Sequence, residues 1–358
     1  MNRKIDAALD DLSRAFELAS NDPLILDYRG MAYAAKGRLD EAIADYSRML
    51  ELNPRFDPSR LRHGDVNRRK GALDAALADY DRVAQLDPKV EPGLVVPALL
   101  GRTKIWEARR DAAHAIADLS KAIEIAPKLT SAFVERGQVM AATVRRDKAV
   151  EGYSRALELE PKNAGVFLLR ARTLRDIGEF DRALTDFTYA LTLQPANVEA
   201  LIDRATLLDS NGQIDAALTD LDHALECAPN NALVLANRGL AYAQKEDYVK
   251  AIADYDKEVE ITRGKPFAAG VFNKRGFVHA ALGETDLAIA DFSQAIDAEP
   301  HYADALANHG YAEFVQGDMK AAAGDLERAL QVASRPDPYV EMFLYLTDLL
   351  QLERGCLA

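Results

Sequence analysis

Small, aromatic and proline positions return along this chain at a fixed interval. Gly30 and Gly64 lie 34 residues apart, as do Gly37 and Gly71, Ala42 and Ala76, Tyr46 and Tyr80, and Pro54 and Pro88. Pro127, Pro161, Pro195 and Pro229 keep the same spacing further on. A period of this length belongs to helical hairpins stacked one on the next, since a single hairpin cannot bury its apolar face alone. The pattern predicts an all-α solenoid that presents a long groove in place of an enclosed active-site cavity.

With Pro54 at slot 32 of a 34-residue frame, nine repeats begin at Pro23, Asp57, Val96, Thr130, Ala164, Val198, Ala232, Ala269 and Ala303. The expected organisation is a half-repeat over 1–22, repeats 1 and 2 over 23–90, and an insertion at 91–95. Repeats 3 to 7 then cover 96–265, a second insertion covers 266–268, repeats 8 and 9 cover 269–336, and a last helix covers 337–358.

Each repeat reads as two helices. Slot 8 is glycine, alanine or threonine throughout, from Gly30 to Gly310, and slot 20 is alanine in all nine, from Ala42 to Ala322. Small side chains let two helix backbones approach closely, and a larger residue there would overpack the contact by roughly 1–3 kcal/mol. Slot 24 is aromatic or leucine, from Tyr46 to Leu326, and fills the space between successive hairpins. Glycines such as Gly37, Gly71 and Gly178 suit the left-handed end of the first helix. Asp40, Asp74, Asp181, Asp215 and Asp286 suit the positive start of the second. The slot-32 proline ends that helix by withholding a donor.

Two charged columns run through the frame. Slot 7 holds Arg29, Arg102, Arg136, Arg170, Arg204, Arg238 and Arg275, with His63 and His309 in the remaining repeats. Slot 23 holds Asp45, Asp79, Asp118, Asp186, Asp220, Asp254, Asp291 and Asp325, with Gly152 as the exception. Their co-occurrence predicts an Arg–Asp ladder that ties helices together. A ligand-binding stripe of arginines is the competing reading.

The formal charge of −13 excludes general nucleic-acid or anionic-membrane binding, both of which want a basic surface. No apolar run approaches the ~18 residues of a membrane span. The first residues lack the apolar core of a signal peptide, so the chain as written reads as cytoplasmic. A periplasmic or secreted location would follow from a signal segment upstream. Two cysteines, Cys227 and Cys356, lie in different modules and do not suggest a disulfide framework.

Catalytic and metal motifs are absent. There is no HExxH, GxSxG or GxGxxG, and Gly264-Lys265 lacks the glycine spacing of a phosphate-binding loop. Asp209-Ser210-Asn211-Gly212 resembles part of a calcium loop, but its spacing is wrong and Gly212 fits the repeat turn. The six histidines, His63, His114, His223, His279, His301 and His309, show no close metal-ligand spacing, and surface or packing roles are expected for each. No catalytic, cofactor or metal residue is therefore assigned.

The stretch LDYRGMAYAAKGRLDEAIADYSRMLELNP, residues 26–54, resembles the tetratricopeptide repeat. The resemblance extends over roughly residues 5–335, with departures at Thr103, Arg110 and Arg263. It implies a right-handed superhelix whose first helices line the concave face and bind a protein or peptide. No enzymatic chemistry and no cofactor come with it. The alanine- and arginine-rich usage points to a bacterial source.

On that frame, slots 2, 5, 6, 9, 12 and 13 face the groove. Repeats 2, 3 and 5 then present a basic strip of Arg62, Arg68, Arg69, Lys104, Arg172 and Arg175, opposed by Asp65, Glu107 and Asp176. Such a strip suits an acidic segment of a partner. Repeat 6 turns acidic with Glu199, Asp203 and Asp209. Repeats 7 to 9 offer Leu233, Asn237, Leu240, Asn273, Phe277, Asn308, Tyr311 and Phe314, a set suited to an extended peptide. Each carboxamide there can both donate to and accept from a peptide backbone. Asn237 and Asn308 share slot 6 and resemble the asparagine ladder of O-GlcNAc transferase repeats, with Lys274 interrupting. The carboxylate clamp of heat-shock co-chaperones is incomplete, since Ile202, Thr206 and Gly270 stand where its lysines and asparagine belong.

Residues 1–22 match only a second helix, with Ala8 corresponding to Ala42 and Leu12 to Tyr46. Left bare, Leu9, Leu12 and Phe16 would be exposed. The half-repeat reads as a fragment of a longer protein, as a face for a partner or a second copy, or as a tolerated cap. At the other end, the apolar Phe343-Leu344-Tyr345-Leu346 stretch reads as a helix packed on repeat 9. The function expected is an interaction scaffold or adaptor holding an extended peptide or partner domain. The alternative is the substrate-selecting portion of a larger enzyme whose catalytic domain lies outside this chain.

Overall fold

The computed structural model describes residues 2–143, 145–263 and 268–333. Among them are nineteen helices and no strand, from α1 (Asn2–Leu18) to α19 (Met319–Val332). After α1, the helices pair as hairpins in the expected register, beginning with α2 (Pro23–Ala35) and α3 (Leu39–Leu52). The chain forms two compact units, one through Asp186 and one from Phe187. The final helix expected over 337–358 lies outside the described residues, as do Cys356 and residues 264–267, which hold most of the second insertion.

Close approach within each hairpin follows from slots 8 and 24. A β-carbon added at Gly239 would lie 2.7 Å from the ring of Tyr255, and one at Gly137 would lie 2.6 Å from Tyr153. Leucine at slot 24 goes with a larger slot 8 in Leu119 with Thr103 and Leu221 with Ala205, but not in Leu326, whose partner is Gly310. The slot-20 alanines Ala42, Ala76, Ala115, Ala251 and Ala288 are fully buried, as the small-residue column predicts.

The turns behave as the glycines foretell. Gly71 takes φ +86° and caps α4 (Asp57–Lys70), accepting a backbone conformation that costs a residue with a β-carbon. Arg110 and Glu246 occupy the same slot at φ 59° without that freedom. The aspartates that follow have a different role from capping. Asp40 lies inside the first turn of α3, and its carboxylate pairs with Lys70 of the next hairpin. The same latch joins Arg109 to Asp74, Lys245 to Asp215, and Gln316 to Asp286. Capping falls instead to Asp111, Asp247 and Asp318, whose side chains accept from backbone amides of α7 (Ala112–Ile125), α15 (Tyr248–Thr262) and α19.

The insertion after Pro88 is not a loop. Residues from Pro92 onward add an extra turn to the start of α6 (Pro92–Ala108), which runs 17 residues. Pro97 sits inside this helix and withholds the donor that the Gly93 carbonyl would have used.

The half-repeat corrects one expectation. Leu9 is buried and Leu12 and Phe16 are partly buried, because α1 turns them against α2. Arg29 lies 3.7 Å over the Phe16 ring, and Lys36 pairs with Asp6. The open side of α1 is the one carrying Ala8, which is exposed although its counterpart Ala42 is fully buried.

The charged columns form the predicted ladder. Arg29, Arg102, Arg170, Arg204, Arg238 and Arg275 each bind the aspartate 16 positions on through two guanidinium nitrogens. His63 and His309 reach Asp79 and Asp325 at 2.7 and 2.6 Å. Sequence reading missed the third member of each rung. From the second repeat on, the slot-7 side chain also bonds slot 25 of the hairpin before it. Arg102 reaches Asp81, Arg170 reaches Ser154, Arg204 reaches Thr188, Arg238 reaches Asp222, and Arg275 reaches Asp256. His63 and His309 meet Ser47 and Ser293 in the same way. The signal was present, since in the eight repeats followed by another hairpin slot 25 holds only serine, threonine or aspartate. One residue thus stitches a hairpin internally and fastens it to its predecessor. The arginines are not a free ligand stripe.

Candidate functional site

In each unit, side chains of first helices contribute most of the lining of an open cleft. In the first unit the basic strip is extensively neutralised from within. Arg62 donates to both oxygens of buried Asp27 at 2.9 Å. Arg68 donates to the Tyr80 hydroxyl at 3.2 Å, and that hydroxyl donates to Asp65 at 2.7 Å. Arg69 caps the carbonyl of Ala34 at 3.1 Å. Lys104 lies 3.1 Å from both Glu107 and Glu135. Arg175 lies 3.3 Å from Asp176. The slot count named Asp65, Glu107 and Asp176 as opposing charges but not Asp27 or Glu135, which approach from neighbouring repeats. Arg172 lines an open cleft of about 610 Å³ with Ser131, Gln138, Leu168 and Leu169. This cleft belongs to repeats 4 and 5, where α8 (Thr130–Ala141) and α10 (Ala164–Asp176) supply the walls.

In the second unit the apolar and amide set converges. Leu240, Asn273, Phe277 and Asn308 line one cleft of about 270 Å³, together with Gln244, Tyr248 and Lys274. They come from α14 (Ala232–Gln244), α16 (Ala268–Ala281) and α18 (Ala303–Gln316). Leu240, Phe277 and Tyr311 share slot 9, so consecutive first helices place them in a row. All three are exposed, Phe277 by 61%. Leu233 is exposed as well, and Phe314 is half-buried.

The asparagines are not equivalent. Asn308 donates to the Asn273 carboxamide oxygen at 3.0 Å, which fixes both amide orientations. Asn237 has no side-chain hydrogen-bond partner among the described residues. The Asn273 side chain also bonds the Tyr302 hydroxyl, and the Asn308 carbonyl is left to accept from a ligand.

Two acids, one buried and one half-buried, depart from the pattern. Slot 27 is alanine, valine or methionine in every repeat except the seventh, where Glu258 stands. Its side chain is buried, Oε2 has no hydrogen-bond partner, and burial raises its pKa against the opposing influence of Lys274. The other is Glu313 at slot 11 of repeat 9. The structure brings it together with His309 and Asp325, all three ligand atoms lying within 4.8 Å of one another. Sequence reading found no metal-ligand spacing because two of these residues are a turn apart on α18 and the third comes from α19.

Two of the other histidines are held locally. His114 bonds the cap residue Asp111 at 2.7 Å and stacks on Trp106, and His279 bonds Glu284 at 2.7 Å. Gly212 takes the repeat-turn conformation at φ +74°, which accounts for the calcium-loop resemblance. Cys227 is a free, exposed thiol. No described helix is long and apolar enough to cross a membrane.

The hairpin geometry and the frame agree with comparisons to known proteins. Tetratricopeptide-repeat family models match residues 28–56, 168–232, 202–268 and 274–339. The chain belongs to the tetratricopeptide-repeat family. Among solved structures, it is similar to a tetratricopeptide repeat protein from Parabacteroides merdae. That match has 20% identity and a TM-score of 0.54, and covers 70% of this chain and 98% of the other. The C-terminal part of a TPR repeat-containing protein from Cytophaga hutchinsonii matches with TM-score 0.56 at 16% identity, over 68% of this chain and 98% of the other. The Cut9–Hcn1 assembly of APC/C matches with TM-score 0.50 at 15% identity, over 95% of this chain and 81% of the other. These likenesses establish the fold. No curated protein sequence matches the chain. The family is one of protein-interaction scaffolds.

Proposed function

We propose that this chain is a non-catalytic adaptor that holds an extended peptide on the first-helix face of repeats 7 to 9. The observation that carries the reading is the convergence of Leu240, Phe277, Asn273 and Asn308 on one cleft. Exposed Leu233 and Tyr311 extend the apolar surface beyond it. Apolar side chains of the peptide would pack on the slot-9 row, and its backbone would bond the oriented carboxamides. Lys274 at the cleft wall favours a peptide with an acidic residue near its anchor. The basic strip of the first unit is the weaker candidate, since Asp27 and Glu135 already take up part of its charge.

The test is selection from a displayed random-peptide library on the wild-type chain, with counter-selection on an Asn237→Ala, Phe277→Ala, Asn308→Ala variant whose helical content is unchanged. Peptides carrying an aromatic or aliphatic anchor should enrich on wild type alone. Equal enrichment on both proteins, or none on either, would rule this face out as the peptide site.

A further inference from the structure

We infer that His309, Glu313 and Asp325 form a divalent-cation site, of the kind zinc fills, at the ladder rung of repeat 9. The inference does not rest on the peptide groove. His309 Nδ1 lies 2.6 Å from Asp325 Oδ2 and 3.5 Å from Glu313 Oε1. Imidazole nitrogen and carboxylate oxygens are the donor types a borderline divalent metal accepts.

The surrounding hydrogen bonds say which ring nitrogen is available. The Ser293 hydroxyl donates to the Ile289 carbonyl at 2.8 Å, so its oxygen is left to accept from His309 Nε2–H at 2.9 Å. That bond holds the ring with Nδ1 turned toward the two carboxylates, within hydrogen-bond distance of Asp325 and further from Glu313. Orientation of a ligating histidine by a bond to its other nitrogen is the usual supporting arrangement at metal sites.

The charge count separates this rung from the others. In six repeats a guanidinium, itself positive, faces the aspartate. Repeat 2 provides an internal comparison, because His63 meets Asp79 at 2.7 Å and Ser47 at 3.1 Å in the same geometry. Its slot 11 is Asn67, so only one carboxylate faces the ring. Repeat 9 places a second carboxylate there. Glu313 Oε2 is buried with no hydrogen-bond partner, which is costly for an acid that serves no bond. A divalent cation would take His309 Nδ1 and an oxygen from each carboxylate as its ligands. Arg328 donates to the far oxygen of Asp325 at 2.7 Å and holds that carboxylate in place.

The test uses the full chain stripped with EDTA and titrated with zinc sulfate by calorimetry, alongside the Glu313→Gln and His309→Gln variants. One zinc per chain is expected above any weak surface binding. Affinity should fall at least about tenfold in each variant, and by about tenfold in Ser293→Ala through loss of ring orientation. His63→Gln should bind as wild type does. Histidine ring resonances in the wild-type chain supply a readout that does not depend on a variant folding, because zinc should move the signals of His309 first. Absence of a site in wild type, unchanged affinity in Glu313→Gln and His309→Gln, or His309 signals that stay fixed while others move would overturn the inference. In that case the rung is bridged by a second proton on the imidazole.

Discussion

Arg238 grips Asp254 with Nε and Nη2, at 2.8 and 2.6 Å, and spends its remaining nitrogen on Asp222 of the hairpin before, at 2.7 Å. Asp254 is buried, while Arg238 keeps part of its surface in water. Asp254→Ala would therefore strand a half-buried guanidinium. The expected loss is about 3 kcal/mol, at the low end for a broken buried pair because Asp222 still holds one nitrogen. Because repeats unfold in part independently, amide exchange in α14 and α15 is the discriminating measurement. Unchanged protection there would show that the rung does not hold the hairpin. Arg238→Lys should fail almost as badly, since a single ammonium cannot present a planar fork to two carboxylates.

Repeat 4 supplies the opposite experiment. Arg136 reaches Ser120 at 3.2 Å, but its slot-23 partner is Gly152, and burial with no facing carboxylate lowers the arginine pKa. A β-carbon at Gly152 would meet the Phe133 carbonyl oxygen at 3.4 Å, an ordinary contact, with no unusual backbone angle to relieve. Gly152→Asp should complete the rung and also remove a helix-interior glycine. The variant is expected to gain on the order of 1 kcal/mol in chemical denaturation. A loss of stability would show that repeat 4 packs in a way the frame does not describe.

What the sequence revealed and what it hid have separate physical causes. Ala42 and its counterparts were legible because a helix crossing tolerates only a small residue, so the constraint repeats with the fold. Slot 7 and slot 23 were legible as partners because they pair within one hairpin. The slot-25 acceptors were overlooked because Ser154, Asp81 and Thr188 look like ordinary solvent-facing residues until the preceding hairpin is in place. The same holds for Asp27, which neutralises Arg62 from the neighbouring repeat and so weakens a basic strip counted by slots alone. Convergence of His309, Glu313 and Asp325 was hidden because it depends on a side-chain approach between two helices. Slot arithmetic put Leu240, Asn273, Phe277 and Asn308 on one face, and they line one cleft, but the Asn308–Asn273 bond between them was not legible.

Gly239 and Tyr255 test the packing rule. A methyl at Gly239 would lie 2.7 Å from the tyrosine ring, too close for either backbone to remain where it is. Gly239→Ala should cost roughly 1–3 kcal/mol. Repeat 6 already contains the compensated pair, Ala205 with Leu221. Gly239→Ala combined with Tyr255→Leu should therefore recover most of the loss, and a double-mutant cycle would measure a favourable coupling. Strict additivity of the two substitutions would mean that the ring does not dictate the glycine.

Glu258 gives a pH dependence with a definite sign. Burial raises its folded pKa above that of an exposed glutamate, while Lys274 opposes the shift only in part. The folded chain therefore holds this proton more tightly than the unfolded chain does. Its effect on stability is most favourable below the unfolded value and is lost as pH rises through the folded one. Above the folded pKa the site carries a poorly solvated charge with Oε2 lacking a hydrogen-bond partner. Glu258→Gln keeps the shape without the charge, and should stabilise the second unit at neutral pH by on the order of 1 kcal/mol. The gap between variant and wild type should close on acidification, because a protonated glutamate and a glutamine are then alike in charge. Urea denaturation at several pH values would read this directly. A wild type whose stability runs parallel to that of Glu258→Gln across the range would mean that this carboxyl ionises as an exposed one does.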